Sequence, residues 1–264
     1  MTSSYEDWAG AMPDGVSARY YEQCDSTNTR AADYLAGGNA KPCWFVASEQ
    51  TAGRGRRGRA WTSNPGNLFT SLAFTPSIRP SDLGPLPFIV ALAVRDTFIA
   101  LGADPATVKC KWPNDLLINE KKACGILIES SASAQNALDY VIIGIGMNLL
   151  HSPDDAAFEA TSFKTETGLT VSLQETMAHL SARLKSRLDD WTLGNFAPVA
   201  AEWTDCAWGL GQTRMINAVD RQFEATLIGL NEDGGLRAQL ATGEETTIVA
   251  ADIFPVGGRV NEGY

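Results

Sequence analysis

Residues 44–74, "WFVASEQTAGRGRRGRAWTSNPGNLFTSLAF", place a cationic loop between two apolar stretches. "WFVASEQ" (44–50) and "NLFTSLAF" (67–74) predict strands. The arginine loop, residues 53–59, holds four arginines and three glycines, and no acidic residue lies between Gln50 and Asn67. Arginine binds phosphate or carboxylate in a forked geometry, and glycine lets a ligand approach the backbone. The segment therefore predicts two strands joined by an anion-binding loop.

The arginine loop formally fits other phosphate-loop patterns. "GRGRRG" satisfies GxGxxG, but a dinucleotide fingerprint needs a helix at that point, and "WTSNPGNLF" predicts a turn and a strand. Arg59 and Ala60 replace the lysine and hydroxyl residue of GxxxxGK[ST]. RNA-binding arginine–glycine segments are usually long and repeated. A merely solvated loop is disfavoured because four like charges repel, so we favour an anionic small-molecule ligand, with nucleotide phosphates first.

The composition indicates a folded, soluble protein. The 264 residues are 44% hydrophobic and carry a net charge of -10, which disfavours a general nucleic-acid binder. Five widely spaced cysteines without a CxxC predict reduced thiols, and two histidines nearly exclude a histidine-rich metal site. The N-terminus lacks the features of a signal peptide, and the apolar run 88–94 is too short to span a bilayer. We expect a cytoplasmic protein without membrane association.

The predicted elements alternate between helices and strands. Ser26 and the pair Gly37–Gly38 bound a helix over 26–36, and a mostly buried helix covers 86–101. A third helix lies in 172–191, where apolar residues recur at three- and four-residue steps and predict a core-facing stripe. The stripe consists of Leu173, Met177, Leu180, Leu184, Leu188 and Trp191. Further strands are predicted at 108–112, 116–119, 124–130 and 140–150.

After residues 209–211 the sequence changes to short alternating segments separated by turns such as "NEDGG". This pattern predicts a compact β tail. We therefore divide the chain into a large domain, 1–208, and a small β domain, 209–264.

Two further motifs carry polar residues at strand ends. "KWPNDLLINEKKACGILIE" (111–129) puts Lys111, Lys122 and the pair Asn114–Asp115 on adjoining strands. Two interpretations stay open: both lysines face one pocket, or the segment is an ordinary hairpin with exposed lysines. "GIGMNLL" (144–150) predicts close approach of a ligand at its glycines and an amide at Asn148, with a bulge or tight packing as the alternative.

Taken in order, the motifs "STN" (26–28), "QTAGRGRRGRAW" (50–61), "KWPND" (111–115), "KKACGILIE" (121–129) and "GIGMN" (144–148) resemble those of the biotin protein ligases. A later "EW" (202–203) before a small β domain is also similar to that family's layout. The resemblance covers nearly the whole chain. It implies an α+β fold, in which a mixed β-sheet flanked by helices, related to class II aminoacyl-tRNA synthetases and lipoate ligases, precedes a small C-terminal SH3-like barrel.

The resemblance also implies a reaction. Members of the family activate biotin with ATP to biotinyl-5'-AMP, release pyrophosphate, and transfer biotin to one lysine of a biotin carboxyl carrier protein. The expected partner is the carrier domain of acetyl-CoA carboxylase or a related carboxylase, and Mg2+ is expected with ATP. A biotin carboxylate must approach an ATP phosphate, so fixed cations would lower the barrier by positioning and by electrostatic stabilisation.

The same resemblance implies the site residues. Lys122, Arg56 and Asp115 are the expected catalytic residues: Lys122 contacts the biotin carboxyl oxygen and the α-phosphate, and Asp115 orients the acceptor lysine. The implied biotin-binding residues are Ser26, Thr27, Asn28, Gln50, Gly53, Arg54, Gly55, Arg56, Lys122, Gly125 and Gly144. The implied ATP-binding residues are Arg54, Arg56, Arg59, Trp61, Lys111, Asn114, Lys122 and Asn148. No protein metal ligand is implied.

Several expectations limit this interpretation. "STN" begins at residue 26, too early for a preceding helix-turn-helix domain, so we expect neither operator binding nor repressor function. Residues 149–163 are expected to cover the adenine, with no stacking residue assigned, and the arginine loop is expected to become ordered when biotin binds. A lipoate or octanoate ligase and a non-enzymatic RNA- or protein-binding module are the alternatives. A homodimer stays open.

Overall fold

The computed structural model describes residues 6–8, 12, 14–132, 137–154, 156, 158–191, 195–218 and 220–257. The strands of the large sheet are β1 (Glu6–Asp7), β2 (Ser17–Cys24), β3 (Cys43–Gln50), β4 (Leu68–Phe74), β5 (Val108–Lys111), β6 (Asp115–Ile118), β7 (Lys121–Ala132) and β8 (Leu138–Met147). The helices are α1 (Thr27–Ala36), α2 (Leu86–Ala100), α3 (Phe163–Thr167), α4 (Leu173–Asp189) and α5 (Ala197–Asp205). The strands of the small sheet are β9 (Thr213–Ala218), β10 (Gln222–Leu230), β11 (Leu236–Gln239), β12 (Glu245–Ile248) and β13 (Ala251–Pro255).

The large sheet is mixed and is covered on both faces. Its order is β1-β2-β3-β4-β8-β7-β6-β5, in which only β2 and β3 pair in parallel among the described strands. Side chains alternate along β3: Trp44 and Val46 join the main core, whereas Phe45 and Ala47 pack with α1 on the opposite face. The predicted fold class is confirmed.

The parallel pair explains where the "STN" motif lies. Parallel strands need a crossover connection, and α1 supplies it between β2 and β3. The helix begins after Ser26, which is its N-cap residue by position although its side chain makes no capping hydrogen bond. The crossover thus places Ser26, Thr27 and Asn28 at the end of β2, beside the end of β3, and all three are buried.

Helix α2 is apolar throughout residues 86–94 and lies in the core. The 21-residue segment Pro80–Ala100 contains an 18-residue window with a mean hydropathy of 1.5, enough by length and composition for a membrane span. In the structure α2 instead packs between the large sheet and α4 and is buried along most of its length. The predicted stripe on α4 is confirmed as its covering face, with Met177, Leu180 and Leu184 fully buried.

The small sheet has the order β12-β11-β10-β9-β13 and is antiparallel throughout. Its apolar residues, including Ile216, Leu227 and Ile253, join the main core of the large domain. The last two strands, β12 and β13, are joined by a short turn in which Val249 is 83% exposed. The small β domain is confirmed, while its boundary at residues 208 and 209 stays a prediction.

Candidate active site

A cavity of about 680 Å³ opens between the large sheet and the small sheet, a size typical of small-molecule sites. Every predicted site residue except Gly53 lines it. Gly53 supports the arginine loop instead, because its carbonyl accepts a hydrogen bond from the Trp61 amide at 2.9 Å and a Cβ there would lie 2.8 Å from the Trp61 oxygen. The motifs that are far apart in the sequence therefore meet in one place.

One end of the cavity is a network of mostly neutral polar groups. Gln50 Oε1 accepts hydrogen bonds from the backbone amide of Thr27 at 2.8 Å and from its hydroxyl at 3.2 Å. The Ser71 hydroxyl lies 2.8 Å from Thr27 Oγ1 and 2.5 Å from Asn28 Oδ1. Asn28 Nδ2 donates to Glu129 at 2.6 Å. Such fixed donors and acceptors can recognise an uncharged polar head group.

Gly144 leaves room for this network, so Gly144→Ala is expected to lower the free energy of unfolding by about 1–3 kcal/mol through overpacking. An added Cβ would lie 2.2 Å from Asn28 Oδ1, and Asn28 is held by Ser71 and Glu129. Chemical denaturation measures the change. Gly37→Ala is the matched control, since the nearest atoms lie at 3.4 Å or beyond; equal stability of the two variants would contradict the packing argument.

The other end of the cavity is cationic and is organised by Asp115. Lys122 Nζ lies 2.7 Å from Asp115 Oδ1, and Lys111 Nζ lies 3.4 Å from Oδ2. Asp115 and Lys111 are buried, whereas the Lys122 side chain is 23% exposed. Burial opposes ionisation of Asp115, but the charges of Lys122 and Lys111 outweigh it and hold the pKa of the carboxyl below its usual value. The hairpin does bring both lysines to one pocket, as the first of the two interpretations predicts.

Each arginine of the loop has a different contact. Arg54 donates to Thr29 at 3.0 Å and lies 3.7 Å from Glu129. Arg56 donates to Asn114 Oδ1 at 3.2 Å, beside the lysines, and burial lowers the pKa of its guanidinium despite the opposing effect of nearby carboxylates. Arg59 and Arg57 point to Asp252 of β13. The loop thus spans the cavity from its polar end to the small sheet.

Trp61 lies flat on the floor of the cavity. Its ring covers Gly125 and Gly146, which pair with each other across β7 and β8, and a Cβ at either glycine would lie 2.7 Å from the indole. Lys122 Nζ lies 5.3 Å from the ring centroid. Gly125 and Gly144 were expected to admit the ligand itself; here their free space accommodates Trp61 and Asn28, and their contact with a ligand stays a prediction.

Several residues that line the cavity were not predicted from the sequence. Phe158, whose ring centroid is 4.6 Å from Lys111 Nζ, comes from the segment after β8, and Asp252 and Phe254 come from the small sheet. The backbone of Lys122 bonds to that segment at Glu159 and Thr161, and Asn148 Nδ2 donates to the Thr161 carbonyl at 3.1 Å. Asn148 therefore holds the wall of the cavity. The aromatic residue in "DDAAFEA" (154–160) is the one sequence feature that could have indicated Phe158. No local sequence pattern indicates Asp252 as a site residue.

Among the described residues, no group of three or more histidine, cysteine, aspartate or glutamate side chains is arranged to hold a metal ion. The carboxylates of Asp115, Asp252 and Glu129 are instead paired with cations. The site therefore offers the chain's own cations to an anionic ligand.

A polar pocket joined to a buried cluster of cations can hold a neutral head group at one end and phosphates at the other. The fold and the cavity define a ligase of the biotin/lipoate class, and the model of the biotin/lipoate A/B protein ligase family matches residues 20–148. A biotin–[acetyl-CoA-carboxylase] ligase of Paracoccus denitrificans is 36% identical over 239 residues, which cover 87% of this chain and 97% of the relative. Within that class, the chain belongs to the biotin protein ligase family.

Solved structures agree with this assignment. Biotin protein ligase from Aquifex aeolicus, in complex with biotin and ATP, has a TM-score of 0.75 and 26% identity, covering 89% of this chain and 97% of that chain. Biotin protein ligase from Leishmania major, in complex with biotinyl-5-AMP, has a TM-score of 0.64 and 28% identity, covering 88% and 98%. The resemblance noted in the sequence is confirmed.

Proposed function

We propose that this chain is an ATP-dependent biotin protein ligase, which converts biotin and ATP to biotinyl-5'-AMP and pyrophosphate and then transfers biotin to a lysine of a biotin carboxyl carrier protein. The observation that carries the proposal is the Asp115-centred pair of lysines, with Arg56 beside it, at the far end of a neutral polar pocket. The name of the relative from Paracoccus denitrificans, biotin–[acetyl-CoA-carboxylase] ligase, supports the proposal.

In the first step, the neutral network around Thr27, Asn28 and Gln50 binds the uncharged head of biotin. Its carboxylate then lies toward Lys122, whose ammonium group faces the cavity. A carboxylate oxygen attacks the α-phosphorus of ATP, the bond from that phosphorus to the pyrophosphate oxygen breaks, and pyrophosphate leaves. Lys122 and Arg56 stabilise the charge that gathers where the two anions meet.

In the second step, the neutral amine of the carrier lysine attacks the acyl carbon, the bond from that carbon to the AMP oxygen breaks, AMP leaves, and the amine releases one proton to solvent. Asp115 is the carboxylate at this point of the cavity. Since it already pairs with Lys111 and Lys122, its first role is to hold both ammonium groups in place. Its orientation of the incoming lysine is the further role that we propose.

Three finer points belong to the proposal. Mg2+ accompanies ATP through the phosphates, as is usual for this ion, while the carboxylates of Asp115 and Asp252 are engaged with the chain's own cations. The acceptor is the carrier domain of acetyl-CoA carboxylase or a related carboxylase. The five cysteines are free thiols, which supports a reducing, cytoplasmic location.

Incubation with MgATP, biotin and an apo-carrier domain is expected to add one biotin to the carrier lysine and to release AMP and pyrophosphate. Intact-mass spectrometry of the carrier measures the addition, and a carrier with its acceptor lysine changed to arginine is the control. Biotin absent from the carrier, with a folded enzyme, would overturn the proposal. Transfer of lipoate in preference to biotin would favour a lipoate ligase on the same fold.

A further inference from the structure

Asp252 contributes a carboxylate to the arginine loop from the other sheet. It lies on β13, 193 residues after Arg59, and its side chain is only 11% exposed. Arg59 Nη2 donates to both of its oxygens, at 3.0 and 3.1 Å, and Arg57 Nη1 lies 3.7 Å away. Arg59 thus makes a charge-assisted hydrogen bond to this nearly buried carboxylate, and Arg57 adds a longer ion pair.

The contact with Asp252 reduces the repulsion between the arginines of the loop. Four arginines within residues 53–59 repel one another, and the neighbouring sequence provides no acidic residue. Asp252 neutralises part of that charge at Arg57 and Arg59, while Arg56 turns toward Asn114 and the lysines. Asp252 therefore holds Arg57 and Arg59 toward the small sheet, while Arg56 lies beside Lys111 and Lys122.

The backbone of the loop needs such support. Arg57 has φ 56°, in the left-handed region that disfavours residues other than glycine. The backbone bond from the Gly55 amide to the Arg59 carbonyl, at 2.7 Å, closes the turn locally. Asp252 contacts the side chains on both sides of Gly58 and so fixes this turn against the small sheet. A disfavoured conformation persists only where surrounding contacts hold it.

We propose that Asp252 is a positioning residue of the adenylation site: its carboxylate holds Arg57 and Arg59 so that the arginine loop presents Arg56 to the cavity. The inference rests on the proposed ligase function and gives the small sheet a part in the first step. Substitution of Asp252 should therefore affect the use of ATP and biotin as well as the order of the loop.

Asp252→Asn, which keeps the shape of the side chain and removes its charge, tests the proposal. The Michaelis constant for ATP in biotinyl-adenylate formation is expected to rise roughly tenfold, with a smaller change in kcat, because a charge-assisted contact that positions the loop is lost. Asp252→Glu is expected to recover part of the loss. Glu245→Gln removes an exposed ion pair with Arg237 on the same sheet and should change neither constant.

Limited digestion with trypsin in the absence of substrates reports on the arginine loop independently of ligase activity. Trypsin cleaves after arginine, so each arginine of the loop is a cleavage site. Fragments cut within residues 53–59 are expected to appear roughly tenfold faster in Asp252→Asn than in the wild type. In an Arg59→Gln background, Asp252→Asn should cause a much smaller further change. If the wild-type protein forms no adenylate, the proposed ligase function is refuted, whereas the digestion still shows whether Asp252 holds the loop.

Unchanged loop cleavage and an unchanged Michaelis constant in a folded Asp252→Asn protein would overturn the positioning role. Thermal melting identifies a variant that is merely unfolded. If Asp252→Asn is unfolded, the same kinetic and digestion measurements on Asp252→Glu and Arg59→Gln test the positioning role. Faster cleavage of the loop without any kinetic change would also contradict the proposal, because the contact would then hold the loop without serving the site.

Discussion

Lys122→Ala is expected to lower the rate of biotinyl-adenylate formation by about 100- to 1,000-fold, the usual cost of removing one preorganised group that stabilises developing charge. Lys122 Nζ lies 2.7 Å from Asp115 and faces the cavity. No other described lysine takes its place, because Lys111 lies deeper and is 5% exposed. Pyrophosphate release and mass spectrometry of the adenylate measure the effect.

Lys121→Ala is the matched control. The neighbouring Lys121 is 40% exposed and pairs with Glu159 at 3.2 Å, outside the cavity. Its removal should leave adenylation unchanged. Lys122→Arg keeps the charge but changes its shape, so it is expected to recover little of the rate. Near-normal adenylation by a folded Lys122→Ala protein would refute the role given to this residue.

Asp115→Ala is expected to reduce the free energy of unfolding by about 3–5 kcal/mol, because it leaves a buried ammonium group without its counter-charge. The side chains of Asp115 and Lys111 are 9% and 5% exposed. Burial already lowers the pKa of Lys111, and the attraction of Asp115 opposes that effect. Urea unfolding measures the loss, and Asp189→Ala, which removes an exposed pair with Lys185, should have little effect.

The loss should also depend on pH in a definite direction. In the variant, the pKa of Lys111 is expected to be lower in the folded than in the unfolded protein. At a pH between these two pKa values, the unfolded chain therefore binds more protons than the folded chain. Stability therefore rises with pH in that window, and the deficit should be smaller at about pH 9.5 than at about pH 7. A deficit that stays constant over this range would show that the missing counter-charge is not its cause.

The sequence predicted those parts of the site that depend on local patterns. The strands on either side of the arginine loop are apolar stretches, and the short hairpin between Lys111 and Asp115 brings its residues together by its own geometry. The core-facing residues of α4 follow from helical spacing. In each case the physical cause lies within about twenty residues of chain, which is where periodicity and turn chemistry act.

Contacts between distant segments could not be predicted in this way. Asp252 lies in "AADIFPV", an ordinary strand segment by its pattern, and only the packing of the two sheets brings it to Arg59. The strand β2, "SARYYEQC", was missed because charged and polar residues interrupt its apolar pattern. Trp61 fits over Gly125 and Gly146 only because β7 and β8 pair in that register.

Helix α2 has a consequence for how the chain is made. Its residues 86–94 are all apolar, and α4, which packs against it, begins about 70 residues later in the sequence. At a synthesis rate of about 5–20 residues per second, the ribosome extends the chain for roughly 4–14 s before that cover exists. During this interval the nascent chain lacks the helix that covers residues 86–94, so we expect its yield in a cell to depend on chaperones and on the rate of translation as well as on the stability of the finished fold.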